Sequence, residues 1–254
     1  MSWFDHGSAQ IYYEEYGSGT PVLLLPGFAG SIEEFSVLKD ALVKANYRVF
    51  AADLPGSGQS KPQPRLYPPT FYTDDARSFI TFVEQVVMEP VHIAGFSDGG
   101  EVALLMAAIA PTAVRSIVTW GSSGVITEEH RPLIEVMANV VDNPIEQMQE
   151  FSAYLKSAYG ESGARAMTQN FAAAVRAIID NGGDISLSQA PNITCPVLLI
   201  AGEHDFFAPP MLVAQLAASI QSGKVLEVEG AGHSIHAERP EWLVQTILDW
   251  LGKR

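Results

Sequence analysis

Gly95-Phe96-Ser97-Asp98-Gly99-Gly100 places a serine among small residues, just after the apolar run 91–94 and just before a helix-forming stretch over 99–110. A serine on a sharp strand-to-helix turn projects its hydroxyl, and the helix start supplies free N–H groups and a positive dipole end beside it. A hydroxyl is a weak nucleophile at neutral pH, so it needs a base, and the base needs an orienting carboxylate. Six histidines are available. His233 lies in Glu229-Gly230-Ala231-Gly232-His233-Ser234, a glycine-rich loop between a strand and the last helix, and is the expected base. His92 falls inside a strand and reads as structural; His6 and His130 have no supporting context. His204 reads as a loop residue, and His236 either contacts the active-site loop or, the favoured reading, is a hydrogen-bonded structural residue. Asp205 follows the strand 197–201 in Gly202-Glu203-His204-Asp205 and is the expected carboxylate, with Glu203 as its rival. Two N–H donors are needed for an oxyanion: that of Asp98, and that of Phe28 in Pro26-Gly27-Phe28-Ala29-Gly30. The chemistry these residues can perform together is acyl transfer.

Alternating strand and helix patterns must position them. Apolar runs predict strands at 22–25, 48–52, 91–95, 114–120, 197–201 and 224–228, and residues 9–16 predict an early, antiparallel strand. Ser31 can cap a helix running to about residue 45, and further helices are expected over 72–88, 99–110, 210–220 and 241–251. This is an α/β chain with a mostly parallel, doubly wound sheet. Between 121 and 188 the pattern changes to three successive helices (about 128–141, 144–159 and 161–179) with no strand. A helical block there predicts a lid over the C-terminal edge of the sheet, where open α/β sheets bind ligands. The expected division is a core of residues 1–121 and 189–254 with the lid at 122–188.

The 254 residues are 47% hydrophobic and 17% charged, which suits one large folded domain. No apolar run reaches the ~18–20 residues a membrane span needs, and the N-terminus shows no signal-peptide pattern. The single cysteine, Cys195, excludes an intrachain disulfide and a cysteine-based zinc site and reads as a small buried side chain; a cytoplasmic location is expected. A net charge of −14 without a basic cluster speaks against nucleic acid or anionic membrane as partners. The expected partner is a small-molecule ester, with no metal and no organic cofactor; the sequence does not choose between monomer and homodimer.

These motifs, together with Leu25-Pro26-Gly27-Phe28 and Asp53-Leu54-Pro55-Gly56-Ser57-Gly58-Gln59-Ser60, resemble the α/β-hydrolase fold over essentially the whole chain. The order Ser97, Asp205, His233 is that of such hydrolases. Members often carry His-Gly where Pro26-Gly27 stands here. Ser97-Asp98-Gly99-Gly100, the strand end Val118-Thr119-Trp120-Gly121 and a histidine three positions after His233 resemble the valacyclovir hydrolase (biphenyl hydrolase-like) group. That group cleaves α-amino acid esters, and the resemblance implies that Asp98 binds the substrate ammonium.

Charge arithmetic bears on the same residue. A carboxylate ~6 Å from a developing oxyanion, at an effective dielectric near 20, opposes it by roughly 3 kcal/mol, which a neighbouring ammonium removes. Against this, an acidic residue in the first turn of a helix is favourable by itself. Phe96, Trp120 and Phe206 are expected to line the substrate pocket, and Phe28, Phe151 and Tyr154 are further candidates. Other reactions share the constellation: carbon–carbon bond cleavage of the meta-cleavage type, lactone hydrolysis and perhydrolysis, or ligand reception without turnover.

Overall fold

Val22, Leu23, Leu24 and Leu25 are all fully buried, as a strand covered on both faces must be. In the computed structural model, which describes residues 2–253, they belong to β3 (Thr20–Leu25), at the heart of an eight-stranded sheet. The other strands are β1 (Ser2–His6), β2 (Ala9–Gly17), β4 (Tyr47–Ala52), β5 (Val91–Phe96), β6 (Val114–Trp120), β7 (Val197–Gly202) and β8 (Gly223–Val228). Their order is β1-β2-β4-β3-β5-β6-β7-β8. β1 and β2 run antiparallel to their neighbours and every later pairing is parallel. The chain steps across β3 on its way from β4 to β5. The crevice beyond the C-terminal ends of β3 and β5 is therefore a switch point of the sheet.

Helices α1 (Ser36–Lys44), the short α7 (Ile235–Glu238) and α8 (Pro240–Leu251) pack on one face of the sheet; α2 (Phe71–Phe82), α3 (Asp98–Ile109) and α6 (Pro210–Ser219) pack on the other. Between β6 and β7, among the described residues, lie helices and no strand: α4 (Arg131–Ala138), entered through a 3-10 turn, and α5 (Gln149–Asp180). Gly160, with φ 68° and ψ 159°, breaks α5 into segments 149–159 and 161–180, so three helices stand where three are expected. Among the described residues no helix is long and apolar enough to cross a membrane.

Two local readings change. Ser31 makes no side-chain cap; a 3-10 turn over Ile32–Phe35 precedes α1 instead. The Ile32 N–H donates to Asp53 Oδ1 (2.8 Å), so a carboxylate from the loop after β4 satisfies the helix start. The helix expected to reach residue 88 stops at Phe82 and continues as a π turn over Val83–Val87, closed by Met88 at φ 61°. β1 is an edge strand of which Phe4 alone is buried, too weak a pattern to read beforehand.

Main chains approach closely at the crevice. A Cβ on Gly95 would meet the Gly99 carbonyl at 2.6 Å, and one on Gly99 would overlap the Leu25 and Pro26 carbonyls. Backbone cannot give way as a side-chain end can. Gly99→Ala is expected to destabilise the protein by about 3 kcal/mol. Gly163→Ala, on helical backbone with room for the methyl, is expected to gain about 0.5–1 kcal/mol. Urea unfolding of the two variants checks the contrast.

Candidate active site

Ser97 terminates β5 and precedes α3 with φ 51° and ψ −117°, a left-handed conformation disfavoured for a residue with a side chain. Its backbone is held firmly. Ser97 N–H donates to Trp120 O (2.8 Å), and the Ser97 carbonyl accepts Gly100 N–H (2.9 Å), Glu101 N–H (3.1 Å) and Ser122 Oγ–H (2.9 Å). The hydroxyl is thereby thrust into the crevice, with Asp98 opening α3 beside it.

His233 Nε2 lies 3.1 Å from Ser97 Oγ, and His233 Nδ1 lies 3.0 and 2.9 Å from the two Asp205 oxygens. With the ring proton on Nδ1, donated to Asp205, Nε2 is free to accept the serine proton. Phe96 and Phe207 each hold the imidazole, their ring centroids 4.9 Å from it. Burial pushes the Asp205 carboxyl up, but the hydrogen bond and charge of His233 and the N–H groups of Ala208 and Phe207 outweigh it, and it ends below the ordinary aspartate value. Glu203, the rival acid, instead accepts the Gly230 N–H.

Ser97, His233 and Asp98 open onto a cavity of about 330 Å³. Ile134, Met137, Met148, Phe151 and Phe171, from the helical insertion, line it opposite Phe28, Phe96 and Phe207. Its carboxyl groups are Glu34, Asp98 and Glu101; no lysine or arginine is among the described lining residues.

Asp98 is 8% exposed and accepts a hydrogen bond from Tyr72 OH (2.7 Å). Burial pushes its carboxyl up to about 7; Tyr72 pulls it down, while the Glu101 and Asp75 carboxylates push it further up. Asp75 is itself paired with Arg65 through two short bonds (2.7 and 2.6 Å) in the same buried layer. Glu101 is also buried, yet fully used: it accepts Ser123 N–H, Gly124 N–H and Ser186 Oγ–H, which tether both ends of the helical insertion to α3.

Two expected pocket residues lie elsewhere. Trp120 is fully buried in the core, its Nε1–H donating to His236 Nδ1 (3.1 Å). Phe206 is 80% exposed; Phe207 lines the cavity instead. Asp205 Oδ1 accepts the N–H groups of both Phe207 and Ala208, a turn that presents side chain 207 inward. Tyr154 reaches the Ala29 carbonyl rather than the cavity wall. His236 accepts the Trp120 hydrogen bond and also lines the cavity, and burial pushes its pKa down to about 4, so it stays neutral. His92 bonds Ser116 within the sheet. Tyr72, Glu34 and Glu101 carried no readable signal except that Glu101 is an acid at the start of an otherwise apolar helix. Among the described residues, no cluster of three or more histidine, cysteine or acidic side chains is disposed to hold a metal ion.

A strained serine at a strand-to-helix turn, facing a histidine and a buried aspartate across a parallel-sheet switch point, is the arrangement of an α/β-hydrolase. The chain belongs to the alpha/beta hydrolase family, whose pattern matches residues 22–246. Among its relatives, serine hydrolase BPHL of Homo sapiens is 27% identical over 230 residues, covering 89% of this chain and 78% of that one, in line with the resemblance to the biphenyl hydrolase-like group. Of solved structures, a thermophilic esterase from Thermogutta terrifontis superposes with a TM-score of 0.71 at 22% identity, covering 96% of this chain and 94% of that one. A serine hydrolase involved in carbazole degradation (the CarC enzyme) superposes with a TM-score of 0.77 at 22% identity, covering 100% and 98%. These two likenesses show the fold.

The raised pKa of Asp98 has a sign for stability. A carboxyl at about 7 in the fold and near its ordinary value unfolded binds more protons when folded between those limits, so its contribution to stability falls as pH rises through that window. Asn removes the charge and keeps an acceptor for Tyr72. Asp98→Asn is therefore expected to melt above wild type at pH 8, with the gap shrinking toward pH 5; equal gaps at both pH values count against an ionising Asp98.

Proposed function

We propose that this chain is a serine hydrolase that cleaves small carboxylic esters, α-amino acid esters in particular, through an acyl-enzyme. The observation that carries the reading is the run of contacts from Asp205 through His233 to Ser97 Oγ, ending in a cavity whose lining includes the Asp98 carboxyl.

In this mechanism Ser97 Oγ attacks the ester carbonyl while His233 Nε2 takes its proton. Asp205, kept ionised by its donors, holds the imidazole in place and stabilises the imidazolium. The N–H groups of Phe28 and Asp98 receive the oxyanion. His233 then returns the proton to the leaving alcohol, and water repeats the sequence on the acyl-enzyme. These steps call on no metal or organic cofactor. Residues 122–188 act as the lid, shaping the acyl and leaving-group space, on a core of 1–121 and 189–254.

The acidic lining supports the substrate class. An ammonium on the α-carbon of the acyl group lies two bonds from the carbonyl carbon under attack, and Asp98 adjoins Ser97 in the chain. Binding it ionises Asp98 and cancels the repulsion between that carboxylate and the oxyanion. A substrate carrying its own carboxylate, as the carbon–carbon cleavage reading needs, meets three carboxyl groups and no cation among the described lining residues.

The test is kcat/KM on two esters that share a leaving group, one with a free α-amino group and one with that amine acylated. The free amine is expected to be preferred by about a hundredfold, the factor that corresponds to roughly 3 kcal/mol. Asp98→Asn is expected to erase most of that preference without slowing the blocked ester, whose oxyanion no longer meets a carboxylate, and Ser97→Ala to abolish turnover of both. Comparable wild-type rates would return Asp98 to a purely local role; turnover by Ser97→Ala above a tenth of wild type would refute the mechanism.

A further inference from the structure

The turn carrying Phe28 is held from the helical insertion. Tyr154 OH and Tyr159 OH, on the first segment of α5, both donate to the Ala29 carbonyl, at 2.9 and 2.7 Å. Tyr159 OH also accepts the Gly58 N–H (2.7 Å), so one hydroxyl joins the insertion, the loop after β3 and the loop after β4. On the other side of the same peptide group, Gly30 N–H donates to Gly27 O (3.1 Å). The Ala29–Gly30 peptide is thus pinned at both ends. Ala29 is fully buried and sits at φ 58°, a left-handed conformation that a residue with a Cβ leaves unless its surroundings enforce it. Here the enforcement comes from two side chains more than a hundred residues away in sequence.

We infer that the helical insertion sets the oxyanion-binding geometry, with Tyr154 and Tyr159 as positioning residues that act on Phe28 through the Ala29 carbonyl. The kinetic consequence rests on the ester-hydrolase reading above; the mechanical one does not. The N–H of Phe28 belongs to the first peptide of the 27–30 turn, so a change at Ala29 re-aims it. Neither tyrosine lines the cavity, so loss of a hydroxyl leaves the substrate-facing walls intact. Seating of the insertion and readiness of the oxyanion donor are then one event: a displaced insertion frees the Ala29 carbonyl and lets the turn relax.

The experiment uses Tyr154→Phe, Tyr159→Phe and the double variant, which keep the rings and remove only hydroxyls. Loss of an oxyanion donor costs about 10²–10³ in kcat, so misdirecting one in the double variant is expected to lower kcat by about 10–100-fold. KM is expected to stay within about threefold, because ground-state contacts are untouched. Affinity for an arylboronic acid, whose serine adduct places an oxygen in the oxyanion site, is expected to weaken in step with kcat. Amide exchange over residues 27–30 is expected to accelerate while that of β5 and α3 does not. Retention of kcat within about twofold, or a loss confined to KM with boronate affinity unchanged, overturns the inference by leaving the tyrosines as fasteners of the insertion only. If the wild-type chain cleaves no ester, the ester reading falls, and amide exchange alone decides: unchanged protection at Phe28 and Ala29 in the double variant overturns the positioning role.

Discussion

The left-handed backbone at Ser97 is the constraint around which the neighbouring structure is arranged. A serine at φ 51° returns to ordinary conformations unless held there, and the holding is done by backbone. Its N–H is tied to β6, its carbonyl accepts three donors, and Gly95 and Gly99 admit the adjoining main chains at distances no side chain permits. The turn cannot relax without separating β3, β5 and the start of α3. The strain is therefore distributed over the centre of the sheet, and the hydroxyl inherits that rigidity.

A second layer of order comes from buried charge. Asp98, Glu101 and Asp75 lie within one region, where Arg65 pairs with Asp75, and each carboxyl is pushed up by burial. Glu101 spends its acceptors on both ends of the helical insertion, and Asp75 on Arg65. Asp98 keeps one neutral donor, Tyr72, and faces the cavity. Two carboxyls therefore serve architecture, and the third holds an acid in an environment that disfavours its charge. Such a group is costly to the fold and useful to a cationic ligand, the usual relation between binding sites and stability.

Legibility in the sequence followed the range of the interactions. Ser97, Asp205 and His233 each sit at the end of a strand in a short motif whose local pattern announces a turn, so their types and order could be read without knowing any contact. The sheet was legible because strands buried on both faces are uninterrupted apolar runs. What failed was direction. Phe206 and Phe207 are adjacent aromatic residues, and only the two N–H bonds to Asp205 decide which faces inward. Trp120 ends a strand beside the site, yet its indole turns to His236. Ser31 is an ideal cap by type, but Asp53, twenty-two positions later, occupies the place. Tyr72, Tyr154 and Tyr159 act across gaps of 26 to 130 residues, and no periodicity encodes them.

The acidic lining of the cavity also bears on how a reaction cycle closes. Under the ester reading, a neutral acyl group is converted in place into a carboxylate. That new anion is released between Glu34, Asp98 and Glu101, with no lysine or arginine among the described lining residues to retain it. Any amine on the same fragment is still attracted, so an amino acid leaves more slowly than a simple acid, but both are held less tightly than the ester that preceded them. Departure of the acid fragment is driven by the charge that hydrolysis creates, and the empty cavity is restored without a separate device for expelling product.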